Sequence, residues 1–155
     1  MALEIERKFR VAGDGWQAGV VRQRRLRQAY LSEKGTVSVR VRIDEDRDAT
    51  LTIKAAAGGI ERHEYEYAIP LADAEELIKR PVGVVIEKTR HFVPAGDVTW
   101  EIDVFGGQNA GLVLAEVELT HADQPVERPN WLGEEVTADR RFYNADLARR
   151  PFSTW

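Results

Sequence analysis

Most of the chain alternates apolar and polar residues with a period of two, the pattern of strands that bury one face. Runs of this kind cover residues 3–11 (LEIERKFRV), 27–32 (RQAYLS), 36–44 (TVSVRVRID), 49–56 (ATLTIKAA), 62–69 (RHEYEYAI), 84–93 (VVIEKTRHFV), 98–105 (VTWEIDVF) and 112–120 (LVLAEVELT). Turn formers stand between them: Gly13-Asp14-Gly15, the acidic Asp44-Glu45-Asp46, Gly58-Gly59, and Asn109 to Gly111. A short helix-prone segment separates the first two runs. Leu71, Ala74, Leu77 and Ile78 recur at helical intervals within residues 71–80, which Pro81 stops. Residues 137–150 (TADRRFYNADLARR) read as a terminal helix, with Thr137 as N-cap and Asp139 in the first turn. Close spacing makes consecutive strands antiparallel neighbours. Eight of them in series predict a mainly β (α+β) fold, a closed eight-stranded antiparallel β-barrel with a few peripheral helices and a C-terminal helix, filling residues 1–155 as one domain.

Sorting each strand by face shows where the charges go. Glu4, Glu6 and Lys8 share a face opposite Leu3, Ile5 and Phe9, with Arg7 alone breaking the apolar row. Arg40 and Arg42 oppose Val37, Val39 and Val41; Thr52 and Lys54 oppose Leu51 and Ile53. The pattern continues with Arg62, Glu64 and Glu66, with Lys88 and Arg90, with Glu101 and Asp103, and with Glu116 and Glu118. A face that is merely wet mixes neutral polar residues among its charges, whereas here acids and bases recur in close pairs two residues apart. Closing the sheet with this face inward gives a lumen that apolar side chains cannot fill.

Composition narrows the function. With 43% hydrophobic and 31% charged residues the chain is a globular domain, and its formal net charge of -4 argues against a broadly basic nucleic-acid surface. There is no cysteine, which removes disulfides, thiolate metal sites and cysteine nucleophiles and fits a reducing compartment. No apolar stretch approaches the roughly 20 residues of a membrane span, and no apolar signal region opens the chain, so a cytoplasmic protein without membrane partners is expected.

Guanidinium and ammonium groups suit phosphate oxygens, while clustered carboxylates repel one another unless a hard divalent cation stands between them. Lys8, Arg40, Arg42, Lys54, Arg62, Lys88 and Arg90 facing Glu4, Glu6, Glu64, Glu66, Glu101, Asp103, Glu116 and Glu118 thus supply the two halves of a site for a metal-bound polyphosphate. Burying so many charges only to pair them would be costly compared with apolar packing.

An ordered set of motifs spans residues 3 to about 148: E-x-E-x-K at Glu4, Glu6 and Lys8, then QAYL with Tyr30, VRVR, LTIK, R-x-E-x-E from Arg62, EKTR, WEIDVF, AEVEL and GEEVTADRRFYNADLA. In this set the chain resembles the CYTH superfamily, also called triphosphate tunnel metalloenzymes. One departure is Ala29, where relatives often carry Gly before the tyrosine. The resemblance implies an eight-stranded tunnel, divalent-metal-dependent hydrolysis of triphosphate compounds and commonly a homodimer. Short bacterial members are chiefly inorganic triphosphatases, cleaving tripolyphosphate to pyrophosphate and phosphate. Other relatives hydrolyse thiamine or nucleoside triphosphates, and some cyclise ATP, so fold and metal chemistry transfer better than substrate. A non-catalytic polyphosphate-binding module is the remaining alternative.

The roles expected on this basis follow the charges. Arg40, Arg42, Lys54, Lys88 and Arg90, with Lys8 and Arg62, grip the phosphates. Glu4, Glu6, Glu116 and Glu118 hold Mg²⁺ or Mn²⁺, with Asp103 as a further ligand or outer-shell partner. Glu64, Glu66 and Glu101 are supporting acids. By resemblance, Lys8 beside Tyr30 forms a dyad that moves a proton at the attacking water, on the reasoning that a lysine among cations loses its proton more readily. His63, His91 and His121 are expected to be structural, and the four tryptophans to serve packing or a dimer surface. The basic run from Arg22 to Arg27 (RQRRLR) is read as a solvated edge or a tunnel-mouth lid rather than a nucleic-acid patch. The terminal helix is expected either to pack against the barrel or to close one end of it.

Overall fold

The computed structural model describes residues 3–155, so the first two residues of the expected domain lie outside the described residues. In chain order the strands are β1 (Leu3–Val11), β2 (Arg22–Lys34), β3 (Val37–Asp44), β4 (Asp48–Gly58) and β5 (Glu61–Ala68), helix α1 (Leu71–Leu77), then β6 (Ile86–Ala95), β7 (Val98–Phe105), β8 (Val113–Glu118), β9 (Leu132–Glu135) and helix α2 (Asn144–Arg149). Single 3₁₀ turns occur at Gly15–Gly19, Gly107–Asn109, Arg140–Phe142 and Phe152–Thr154. The strands follow the order β5-β4-β3-β2-β6-β7-β8-β1, and β1 pairs back onto β5, which closes an eight-stranded antiparallel barrel. The closing seam is short, from Leu3 opposite His63 to Ile5 opposite Glu61.

The apolar faces point outward and are covered from outside. Ile5, Phe9, Trp100, Ile102 and Val117 are buried beneath Trp16 and the segment carrying Leu119 and Trp131, with the Trp100 ring set edge-on to both Phe9 (5.5 Å) and Trp131 (5.6 Å). On another side, Ala29, Val41, Ile43 and Ala49 meet Ala74 and Ile78, which explains why α1 is amphipathic. A third cluster lies at one end of the barrel interior. There Tyr30, Ile86, Phe105 and Leu114, on the same faces as Gln28, Lys88, Asp103 and Glu116, pack on Val136, Phe142, Leu147 and Ala148. The C-terminal segment therefore plugs that end, each large apolar side chain contributing about 1.5–3 kcal/mol of burial.

Several boundaries differ from the sequence expectation for identifiable reasons. β2 begins at Arg22, so the basic run forms half of a strand; over residues 22–25 it pairs in register with β6 alone and leaves Arg22, Gln23 and Arg25 exposed, a solvated edge as expected. It pairs with β6 from Arg22 opposite Phe92, the Arg22 guanidinium lies 4.3 Å from the Phe92 ring, and Arg24 is 3.0 Å from Asp44. β9, four residues without readable alternation, continues the sheet beyond β1 and is tied by a bidentate Arg7–Glu135 pair (2.9 and 2.7 Å). That pair also accounts for Arg7 on an otherwise apolar face. The helix expected over 137–150 is broken: a 3₁₀ turn, capped by Asp139 accepting from the Arg141 N–H, gives way to an extended Tyr143 before α2 starts. Thr137 caps no helix, because its hydroxyl accepts from the Lys8 backbone N–H at 3.0 Å and donates to Glu135 at 2.6 Å.

Trp16 and Trp100 are core residues as expected, while Trp155 is about half exposed beside Phe142 and Phe152. The His91 ring lies tilted against Trp16 at 5.0 Å, and His121 pairs with Asp123 at the surface. No helix of the described residues is long and apolar enough to cross a membrane.

The plug is locked at one tight turn. Gly83 has a left-handed φ of +81°, a Cβ there would overlap the Ala148 carbonyl oxygen, and that oxygen accepts from the Val84 N–H at 2.8 Å. Gly83→Ala is expected to destabilise by about 2 kcal/mol or more, lowering Tm by about 4–8 °C. Unchanged thermal melting would contradict this docking of α2.

Candidate active site

Strand register places the charged residues. Lys8 lies opposite Glu116 and Glu6 opposite Glu118 across β1 and β8; Glu4 lies opposite Arg62 at the seam; Lys54 lies opposite Glu64 across β4 and β5; Arg90 lies opposite Asp103 across β6 and β7. Their side chains, Asp103 excepted, line one cavity of about 430 Å³ inside the barrel. Among the expected site residues, Glu4, Glu6, Lys8, Tyr30, Arg40, Arg42, Lys54, Arg62, Glu64, Glu66, Lys88, Arg90, Glu101, Glu116 and Glu118 all reach its wall. None of the three histidines does.

Asp103 stands behind the wall. It is fully buried, and its two oxygens are taken by Lys88 Nζ (2.8 Å) and by Arg90 Nε and a terminal nitrogen (2.8 and 2.9 Å). Of the two roles expected for it, its geometry fits the outer-shell one. Burial works against its charge, but Arg90 and Lys88 hold its carboxyl below the usual range. One carboxylate thus serves two cations. For Lys88 burial outweighs Asp103, with Arg90 adding repulsion, and the ammonium is pulled down to about 7.

Pairing elsewhere is extensive. Lys54 bridges Glu4 (3.0 Å) and Glu64 (3.2 Å); Lys8 is 3.3 Å from Glu116; Arg90 is 2.8 Å from Glu101 and 3.7 Å from Glu116; Arg40 is 3.7 Å from Glu66 and 3.2 Å from the Thr52 hydroxyl. Against burial, Lys8, Arg90 and Lys88 hold the Glu116 carboxyl well below the usual range. Lys8 sits among carboxylates rather than cations, and although burial opposes its charge, Glu116 and Glu6 raise its pKa. No hydrogen bond joins it to Tyr30; Lys8 Nζ donates instead to the Phe142 carbonyl at 3.1 Å, and Tyr30 packs in the apolar plug.

Two side chains are left over. Arg42 has no carboxylate within ion-pair distance among the described residues, and its Nε donates to the neutral Gln28 amide at 2.8 Å. Burial, then Arg40 and Arg90, pull its guanidinium down to about 9. Glu6 has no ion pair or hydrogen bond to any described residue. Burial, then Glu116, with Glu4 adding to it, push it up to about 8. Glu118 is raised too, by burial and by Glu4 and Glu101. Glu4 Oε2 lies 3.0 Å from Lys54 Nζ, yet no well-aligned hydrogen bond reaches it. Among the described residues, Glu6 and Glu118 on the acidic wall thus have no cation paired to them and are biased toward the protonated form, while Arg42 on the basic wall has no counter-anion. As the side chains stand, no trio of acidic or histidine groups among the described residues converges to hold a metal, because Lys54 and Lys8 are interposed. The donor set is all oxygen, and a hard divalent cation would supply the positive partner that Glu6 lacks.

Sequence reasoning missed the contribution of the C-terminal segment. Thr137, Arg140, Tyr143 and Asn144 line the cavity, with the Tyr143 ring between Lys8 (5.4 Å) and Arg62 (5.3 Å). The only signal was the sequence of the FYN stretch, obscured by its reading as continuous helix.

Comparison with known proteins agrees with this geometry. The CYTH domain family profile matches residues 2–150. An inorganic triphosphatase of Acetivibrio thermocellus is 40% identical over 162 aligned positions, covering 100% of this chain and 99% of the relative. One of Nitrosomonas europaea is 38% identical over 149 positions, covering 94% of this chain and 96% of the relative. A solved inorganic triphosphatase structure, 37% identical, superposes with a TM-score of 0.69 over 94% of this chain and 97% of the other. With the barrel, its inward charges and these full-length likenesses together, the chain belongs to the CYTH domain family.

Proposed function

We propose that this protein hydrolyses inorganic triphosphate to pyrophosphate and phosphate, in a reaction that depends on Mg²⁺ or Mn²⁺. The observation that carries this reading is a base and an acid that line one cavity and have no counter-ion among the described residues, Arg42 and Glu6. A metal-bound polyanion is the ligand that satisfies both. The names of the relatives in Acetivibrio and Nitrosomonas support the substrate.

Arg40, Arg42, Lys88 and Arg90 would take the phosphate oxygens, Arg42 through the terminal nitrogens that its Gln28 contact leaves free. Asp103 orients Lys88 and Arg90 from behind, so the basic wall is set before substrate arrives. Arg62, over the Tyr143 ring, adds a cation that lines the same cavity beside Glu4. Glu4, Glu6, Glu116 and Glu118 would hold the metal. When bound, that ion supplies charge neutralisation and a more acidic water. Lys8 acts as a fixed donor and cation between Glu116 and the Phe142 carbonyl rather than as a base. Lys54, shared by Glu4 and Glu64, separates the two acids and would offer a further cation to the phosphates. Tyr30 bounds the plugged end. Catalysis then rests on positioning and electrostatic stabilisation of the transferring phosphoryl group.

We further place the protein in the cytoplasm as a homodimer. Absence of cysteine fits the compartment, and the exposed Val37, Tyr65 and Tyr67 on β3 and β5 are apolar surface that a second copy would cover.

Phosphate release from tripolyphosphate, ATP and thiamine triphosphate, measured with Mg²⁺ and again with chelator, is expected to rank tripolyphosphate first and to lose all turnover on chelation. Binding without release, or preference for ATP with cyclic AMP as product, would contradict the assignment. Arg42→Met separates function from stability. Removing a half-buried cation that has no ion pair among the described residues should leave Tm unchanged or higher, while kcat/KM for tripolyphosphate falls by about 10²-fold or more. Full activity in that variant would remove Arg42 from the site.

A further inference from the structure

Asn144 and Gln28 are neutral amides, yet each contacts the basic wall. The Asn144 Oδ1 accepts from Lys88 Nζ at 2.8 Å and from Gln28 Nε2 at 3.1 Å. Gln28, fully buried, thereby turns its own Oε1 to Arg42 Nε at 2.8 Å. Both orientations are determined by the donors: a flipped Asn144 would point N–H groups at an ammonium, and a flipped Gln28 would point them at a guanidinium. The chain Lys88–Asn144–Gln28–Arg42 connects β6, α2, β2 and β3, and the first residue of α2 is its centre.

We infer that Asn144 and Gln28 form an amide relay that positions the Lys88 ammonium and the Arg42 guanidinium for phosphate, so that the C-terminal plug is a working part of the basic wall. This rests on the triphosphatase reading above. The use of amides has a physical reason. A carboxylate at either place would orient the same cations, but it would also neutralise them and repel phosphate, whereas an amide oxygen fixes direction and leaves the positive charge free. Asp103 already takes one N–H of Lys88 and Asn144 takes a second, which leaves a single donor for ligand. On Arg42 the relay occupies Nε alone and leaves the terminal nitrogens. Asn144 and Gln28 are thus positioning residues acting through their cations.

The test compares Asn144→Ala, Asn144→Asp, the volume-conserving Gln28→Met and the double variant Gln28→Met/Asn144→Ala, each by tripolyphosphate kinetics, thermal melting and calorimetric titration with tripolyphosphate in metal-free buffer. Each neutral single variant is expected to lower kcat/KM by about 10- to 100-fold. Because the two act in series, the double should be within about threefold of the worse single. Asn144→Asp keeps the geometry and should melt no lower than wild type while binding tripolyphosphate about tenfold more weakly, a split that a purely structural role does not produce. Multiplicative losses in the double variant, or wild-type affinity in Asn144→Asp, would overturn the relay. The titration reads the relay separately from turnover: a wild type that binds tripolyphosphate without cleaving it would sink the triphosphatase reading alone, whereas unchanged affinity in Asn144→Ala would sink the relay whatever the kinetics show.

Discussion

Charged residues must sit inside this barrel because the strands offer them nowhere else. Alternation gives each strand one apolar and one charged face, and closure commits the charged face to a confined space. Most of the outward apolar surface must then find cover, and the rest of the chain supplies it. α1 lies over Val41 and Ile43, Trp16 and Trp131 flank the Phe9–Trp100 cluster, and the C-terminal segment fills the one barrel end whose inner face is apolar. Helices and loops are peripheral here because the usual relation of core to surface is inverted.

Confinement also sets the energetics of the cavity. Charges taken out of water are tolerable when paired and hydrogen-bonded, and costly when not. Lys54 between Glu4 and Glu64, and Asp103 beneath Lys88 and Arg90, meet that requirement. Glu6 and Arg42 do not. Such residues tax the folded state, and a ligand carrying both a cation and a polyanion removes the tax in one step. Stability and function are therefore opposed at these two positions, and the tension is resolved only in the complex.

The parts of the fold legible in sequence are those that depend on periodicity within one strand. The barrel and almost every inward residue follow from alternation, since a period of two fixes the face of every side chain once one is known. What escaped depends on contacts between distant segments. β9 is too short to alternate visibly and exists because Arg7 holds Glu135. The first half of β2 is solvated as expected, but its strand pairing was not legible because Phe92 and Asp44, which contact Arg22 and Arg24, are remote in the chain. The terminal helix broke at Tyr143 because its ring is drawn between Lys8 and Arg62. Lys8 was expected to be a lysine among cations, yet its cross-strand neighbour is Glu116, and register rather than composition set its surroundings.

The most direct test of the central claim is thermal melting of the wild-type protein with Mg²⁺ alone, with a methylene-bridged, non-hydrolysable triphosphate alone, and with both. If surplus acid and surplus base face one another across the cavity, the two ligands together will raise Tm by clearly more than the sum of their separate shifts. Additive shifts, or none, would mean that metal and phosphate do not meet inside the barrel.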